Sequence, residues 1–443
     1  MSETFDFIIH GGTVYTPGGP LELDVGVRAG KIAALGKLNP GSAARTYDAR
    51  NLMVLPGLID EQVHFREPGP THKEDLESGT RGAILGGITA VFEMPNTDPA
   101  TTTAAAINDK ISRGTGRCWT DFAFYVGASP ENADELYALE RLPGCCGIKM
   151  FMGSSTGTLL VADDENVSRV LKSGSRRVTV HSEDDMRLQE RAGMVAGGAD
   201  VSMHPEWRDV ETAVRSTQRL LALAHKHRRR VHVLHVSTAE EMDILAQHKD
   251  IATVEVLPQH LTLAAPECYE RLGTLAQMNP PIREARHRAA LWAALNAGIV
   301  DCIGSDHAPH TLEEKAKPYP RSPSGLTGVQ TTVPLMLNHM AQGRLSLQRL
   351  VDMLSAGPAR IFGIAGKGRV AVGYDADFTV VDLKAKRTIT NNWIASRTGW
   401  TAFDGMDVTG WPMATIIRGN VVMRDDEVQD KPVGIPVRFQ ETL

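Results

Sequence analysis

Residues able to bind a metal or move a proton recur at one kind of place along this chain, the downstream end of a short apolar run. Gln62 and His64 end such a run in IDEQVHF, with Val63 between them. His181 closes RVTVH, His235 closes VHVLH, and Asp306 and His310 follow the run in DCIGSDHAPH. Lys149 stands inside CGIKMFMG as its only charged residue. Each has an ordinary explanation alone. A strand-end histidine is commonly half-buried, a lysine in an apolar strand snorkels, and an aspartate after a strand makes a turn or a cap. Together they make a ligand set. Imidazole nitrogens and a carboxylate suit Zn2+, and three protein ligands leave a position for water. Lys149 is the odd member, because an ammonium repels a cation. Burial disfavours its charge, and the neutral amine can add to carbon dioxide to form a carbamate, an anionic donor able to bridge two metals.

For these residues to meet, the runs carrying them must lie side by side and point the same way. Apolar strand candidates begin near Met53, Ile88, Trp119, Gly147, Arg177, Arg230, Ile251 and Asp301, with helical patterns such as KEDLESGTRGAILGG and TAEEMDILAQH between them. That alternation predicts an α/β fold, a closed (β/α)8 barrel over residues 55–365, whose strand ends converge on one axis. Period-two alternation places Gln62 and His64 on one face, with Arg66 continuing it. The two ends of the chain differ from the middle. FDFIIHGGTVYT and VGVRAGKIAALG read as β-hairpins, and the same texture returns in GRVAVGYDADFTVVDL and ATIIRGNVVMRDDEV. They predict one small β-sandwich domain built from residues 1–54 together with 366–443. The polar stretch from Thr311 to Gly325, with Pro318, Pro320 and Pro323, follows the last barrel strand and predicts a lid or rim.

Composition removes several function classes. With 443 residues, 42% hydrophobic and 23% charged, the chain buries a sizeable core and is not a disordered polymer. A net charge of -6 argues against nucleic acid, and HKHRRR at residues 225–230 reads as a solvated helix end. Five cysteines with no C-x-x-C spacing fit a reducing compartment. The start MSETFDFIIHGG lacks the regions of a signal peptide, and no stretch approaches the roughly 18 apolar residues of a membrane span. A cytoplasmic protein with a small-molecule substrate, and no nucleic-acid or membrane partner, is expected.

The segments PGLIDEQVHFREPGPTHKEDLESGT, EMPNTDP, GIKMFMGSSTG, HSED, HVST, MNPPIR and GSDHAPHTLEEK follow one another in this order. They resemble the amidohydrolase superfamily and, within it, the bacterial dihydroorotases. HVST alone is a weak signal; the ordered set, spread over the whole chain, is specific. The resemblance implies zinc-dependent, reversible cyclisation of N-carbamoyl-L-aspartate to dihydroorotate in pyrimidine biosynthesis, with one or two Zn2+ per chain. It implies that His64, Lys149, His181, His235 and Asp306 are metal ligands, Lys149 carboxylated and bridging, and that Asp306 is also the general base. Arg66, Asn96 and His310 match residues that hold the substrate carboxylate. Asn279, Ser324 and Gly325 match residues that contact the ring. Gln62 departs from the pattern: it stands where the family has a histidine, and its neutral amide oxygen should hold Zn2+ less well than imidazole. That departure bears on occupancy of the first metal more than on activity. A homodimer or higher oligomer is implied as well, with aspartate carbamoyltransferase as a partner. Two other readings stay open: an allantoinase or hydantoinase-type cyclic amidohydrolase, and a non-catalytic dihydroorotase-like partner of the transferase. MPNT, Arg66 and DHAPH point to dihydroorotase over allantoinase.

Overall fold

Alternating apolar runs and helical patterns fold into eight parallel strands wrapped by helices in the computed structural model, which describes residues 4–155 and 157–442. The strands are β1 (Leu58–Val63), β2 (Ile88–Glu93), β3 (Asp121–Gly127), β4 (Cys145–Phe151), β5 (Val178–His181), β6 (Val231–Val233), β7 (Ala252–Val256) and β8 (Cys302–Ile303). Each pairs in parallel with its predecessor. The ring closes where Val63 bridges to His307 just beyond β8, and His64 N–H donates to His307 O at 2.7 Å. All eight strands are buried along their length. A parallel strand covered on both faces needs apolar residues of both parities, so these strands appear as apolar runs. One parity, including Ile59, Phe92, Ala123 and Tyr125, packs in the interior with Phe362 and Phe439. The other, including Leu58, Val91, Phe124 and Val126, packs against helix residues such as Leu76 and Ile107.

The helices begin where capping chemistry allows. Asp75 caps Leu76–Leu85 in a reciprocal pair with Ser78, and Thr238 caps Ala239–Ala246. The basic run ends helix Val210–His227 as expected, with His225, Lys226 and His227 in the last turn and Arg228 left-handed at φ 52°.

Two expectations need correction. The strand expected near Met53 divides at Gly57: Met53–Pro56 pairs antiparallel with Phe378–Val381 in the sheet of the termini, and β1 begins at Leu58. A Cβ on Gly57 would lie 2.5 Å from Thr89 Oγ1 and 2.7 Å from Asp377 Cβ, so no larger residue passes there. FDFIIHGGTVYT does not form a hairpin. Phe5–His10 joins Asp24–Arg28, Lys31–Gly36 and Ala43–Asp48 in a four-stranded sheet. Thr13–Thr16 joins a seven-stranded sheet that holds Met53–Pro56, Phe378–Ile389 and Met406–Ile417. Gly11, at φ 75°, and Gly12 carry the chain from one sheet to the other. The sheets pack through Phe7, Val14, Val25, Phe378 and Ile416, which makes the sandwich.

The sandwich is fastened to the barrel by buried charge. Lys367 Nζ lies 2.6 Å from Asp121 Oδ2 at the start of β3 and also pairs with Asp377, while Arg418 pairs with Asp121. Such groups are tolerated in a dry place because each is paired. The last residues return to the barrel, where Pro436 bridges Phe122 and Phe439 bridges Ile364. The stretch Thr311–Gly325 is a fastened rim containing the short helix Leu312–Lys315. Buried Lys315 donates to the carbonyls of Gln277, Pro323 and Gly325 at 3.0, 2.9 and 3.1 Å. Among the described residues no helix is long and apolar enough to cross a membrane, and the five cysteines are buried and unpaired.

Candidate active site

β1 does not run straight to its end. Its pairing with β2 slips between Asp60 and Val63, and the consecutive residues Glu61 and Gln62 both reach inward, Glu61 to Cys302 and Gln62 to Asp306. A bulge re-aims side chains in this way. Val63 then packs outward and His64 faces in. Arg66, His235 and Asp306 adopt φ values of 64°, 37° and 44°. Left-handed backbone is uncommon and costly for such residues, and here it occurs just past three strand ends. Gln62, His64, Lys149, His181, His235 and Asp306 all line one pocket. So do Arg66, Asn96, Asn279, Ser324 and Gly325, whereas His310 stands behind Arg66.

The protons of the histidines can be followed through their partners. His64 Nδ1 donates to Asn96 Oδ1 at 2.7 Å. The Nε2 lone pair then faces Asp306 Oδ1 at 3.1 Å, and burial favours the neutral ring. His181 Nε2 donates to Glu183 Oε2 at 2.9 Å, which turns its Nδ1 lone pair toward His235 Nε2 at 3.1 Å. Burial lowers the pKa of both rings. Glu183 is braced by Arg208, 2.5 Å away. Burial pushes the Glu183 carboxyl up, but Arg208 and His181 outweigh it and hold the group well below the usual range. A histidine with its second nitrogen tied to an oxygen acceptor is pre-set as a metal ligand. His64 Nε2 and the Asp306 carboxylate, acceptors that face each other at 3.1 Å, suit a cation between them.

Lys149 is 1% exposed, and burial lowers its pKa to about 7, so neutral amine is abundant near neutral pH. Its Nζ lies 4.6 Å from the Phe151 ring centroid. Gln62 Nε2 donates to Asp306 Oδ1 at 3.1 Å, leaving Gln62 Oε1 buried without a partner among the described residues. An orphaned buried acceptor costs about 1–3 kcal/mol, and a metal would satisfy it. These residues fit a metal, with Gln62 as the weakest donor.

On the other side of the pocket, Arg66 leaves the neighbouring Glu67 to Arg117, 2.7 Å from it. Arg66 is buried, its Nε has no partner among the described residues, and burial lowers its pKa only to about 10. His310 Nε2 donates to Ser324 O at 3.1 Å and its Nδ1 accepts from Lys73 Nζ at 3.1 Å. That leaves His310 no lone pair for Arg66, whose Nη2 lies 3.4 Å away. The guanidinium therefore keeps donors for a ligand. Asn279 is held by His204 at 3.0 Å and donates to Ser155 Oγ at 3.4 Å. Gly325 sits at φ 145°, where a Cβ would meet Ala308 O at 2.4 Å.

Residues 53–422 match the amidohydrolase family. The chain belongs to that family. It is 36% identical over 412 residues, covering 92% of each chain, to a dihydroorotase of Methanothermobacter thermautotrophicus. To an L-hydantoinase of Paenarthrobacter aurescens it is 33% identical over 440 residues, 96% of each chain. Among solved structures, the L-hydantoinase (dihydropyrimidinase) from Arthrobacter aurescens superposes with a TM-score of 0.92 at 32% identity, covering 98% of this chain and 100% of that one.

This amidohydrolase is thus a hydrolase acting on cyclic amides, with a small-molecule substrate. Its site includes residues that sequence reasoning did not assign. Glu183 lies within HSED but had no role there, and Arg208, 25 residues further on, lies in no motif. Lys73 lies within the first segment, again unassigned. The orphaned Gln62 oxygen makes a direct expectation: Gln62→His raises the metal retained per chain after exhaustive dialysis, read by elemental mass spectrometry. Unchanged metal content would mean that Gln62 does not limit binding.

Proposed function

We propose that this amidohydrolase is a dihydroorotase, opening dihydroorotate to N-carbamoyl-L-aspartate and closing it again. The observation that carries the reading is Arg66, a buried guanidinium lining the cavity with donors left for an anion. A guanidinium pairs with a carboxylate through two parallel hydrogen bonds, and dihydroorotate brings that carboxylate to a ring that must be opened. Asn96 lines the same pocket, His310 stands behind Arg66, and Asn279, Ser324 and Gly325 line the part where the ring would lie. The likeness to L-hydantoinase supports the same ring-opening chemistry, but a simple hydantoin has no carboxylate for Arg66.

The donors suit Zn2+, one or two ions per chain, held by His64, His181, His235, Asp306 and the carbamate of Lys149, with Gln62 Oε1 as the weak sixth. Bound there, the metal lowers the pKa of water and polarises the attacked carbonyl. Asp306 lies where a base is needed: its Oδ1 is 3.1 Å from both His64 Nε2 and Gln62 Nε2. It accepts the proton of the attacking water and returns it to the ring nitrogen as the carbon–nitrogen bond breaks, so the protons balance. In the closing direction the carbamoyl nitrogen attacks the protonated carboxyl group and gives its proton to Asp306, which passes it to the departing hydroxyl, so that water leaves. Chelation abolishes turnover in both directions, and Zn2+ with bicarbonate restores it. Full activity in metal-free protein contradicts this assignment.

The same reading treats residues 1–54 with 366–443 as one composite domain and 55–365 as the catalytic barrel, with the strand Met53–Pro56 carrying the sheet of the termini up to Gly57. It places the protein in the cytoplasm as a homodimer or larger oligomer, with aspartate carbamoyltransferase as a partner. Size analysis with and without the transferase checks the assembly.

A further inference from the structure

A second group of donors lies deeper in the barrel. Glu61 of β1, His232 of β6, Glu255 of β7 and Cys302 of β8 are all 0% exposed. One donor atom from each lies within 4.8 Å of all the others. Glu61 precedes Gln62, His232 precedes His235 and Cys302 precedes Asp306, so the group sits below the cavity residues along the strands. No spacing in the sequence unites them, and the bulge in β1 is what turns Glu61 inward.

The donors are oriented for an ion. His232 Nδ1 donates to Thr253 Oγ1 at 2.8 Å, and that hydroxyl donates onward to Val231 O at 3.4 Å. The ring is thereby fixed with its Nε2 lone pair toward Cys302 Sγ, 3.5 Å away. Cys302 Sγ lies 2.7 Å from Glu61 Oε1, and Glu255 Oε1 accepts from His235 N–H at 2.8 Å. The second oxygen of each carboxyl group, Glu61 Oε2 and Glu255 Oε2, is buried with no donor from another group among the described residues, and the two carboxyl groups lie within hydrogen-bond reach of each other. Two carboxyl groups and a thiol in contact are tolerated in a dry interior only when protons or a metal cation join them. Zinc bond lengths of about 2.0–2.3 Å set tetrahedral donors roughly 3.5 Å apart. The sulfur–imidazole spacing meets that value, and the sulfur–carboxylate contact has to open by about 1 Å.

We propose that Glu61, His232, Glu255 and Cys302 form a second metal site, separate from the catalytic donors, that takes Zn2+ or a similar thiophilic divalent cation as a structural ion. Four protein ligands leave no open position, which marks a structural site. Loading releases the thiol proton and any proton shared by the carboxyl groups. The ion joins β1 to β8 across the seam where the barrel closes, and ties both to β6 and β7. Because the site is enclosed, the metal enters as the chain folds.

Cobalt distinguishes the two sites, since the catalytic set is nitrogen and oxygen only. The exposed group His225, His248 and Asp250 likewise has no sulfur. The full chain is produced in cobalt-supplemented, zinc-depleted medium and its near-ultraviolet spectrum and metal content are measured. The expected result is a sulfur-to-cobalt charge-transfer band that Cys302→Ser abolishes, together with the loss of one metal equivalent per chain. Cobalt-bearing wild-type protein without that band overturns the proposal, as does a Cys302→Ser protein that keeps it. Should Cys302→Ser fail to fold, X-ray absorption at the cobalt edge of wild-type protein decides: a sulfur neighbour supports the site and its absence overturns it.

Discussion

Asp306→Asn lowers kcat in both directions by on the order of 100-fold or more while leaving metal content near the wild-type level. Asparagine keeps the shape of the side chain and an oxygen that can still accept from Gln62 Nε2, 3.1 Å away in the wild type. What it removes is basicity, and with it the carrier that takes a proton from water and gives it to the ring nitrogen. Lys149→Ala supplies the contrast: under the proposed role of Lys149 as a carbamate donor, its removal takes both metal and activity. Steady-state kinetics and elemental analysis on the same samples separate the two effects. An Asp306→Asn enzyme with near-normal kcat would remove Asp306 from the proton path, and one that merely loses metal would reduce its role to that of a ligand.

Arg66→Ala raises the barrier for dihydroorotate by about 2–4 kcal/mol, roughly 30- to 1,000-fold in kcat/KM. The loss has a structural origin in a buried guanidinium that His310 cannot satisfy, because Ser324 O and Lys73 occupy both of its ring nitrogens. Residual turnover of a simple hydantoin scarcely changes, since that substrate has no carboxylate to lose. Residue 66 sits at φ 64°, a left-handed conformation whose cost arginine and alanine share, so thermal stability is measured alongside to register only the loss of the buried side chain. An equal fall for both substrates would show that the substitution acts through folding and not through recognition.

The sequence carried much of this site because a parallel barrel writes its chemistry in a legible way. Strands covered on both faces must be apolar, so Lys149 stands out, and the residues just past the runs, His181, His235 and Asp306, converge on one mouth. Three features left no such trace. The division at Gly57 lies inside one continuous apolar run, and only the crowding by Thr89 and Asp377 separates the two strands. The bulge at Glu61 and Gln62 breaks the alternation without any glycine to announce it. Arg208 reaches Glu183 from a separate segment, so the brace behind His181 exists only in three dimensions. Gly11 and Gly12 mislead for a related reason, because a glycine pair that changes sheets looks the same as one that makes a hairpin.

Substrate choice tests the central assignment most directly. Purified, zinc-loaded protein is assayed in parallel with dihydroorotate, allantoin and a 5-alkyl hydantoin, and kcat/KM is compared. A site built to pair with a carboxylate leaves its own donors unsatisfied when the ligand lacks one, which costs several kcal/mol. Dihydroorotate is therefore expected to exceed allantoin and the hydantoin by at least about 1,000-fold. A preference for allantoin or the alkyl hydantoin would contradict the carboxylate clamp at Arg66, and the dihydroorotase assignment with it.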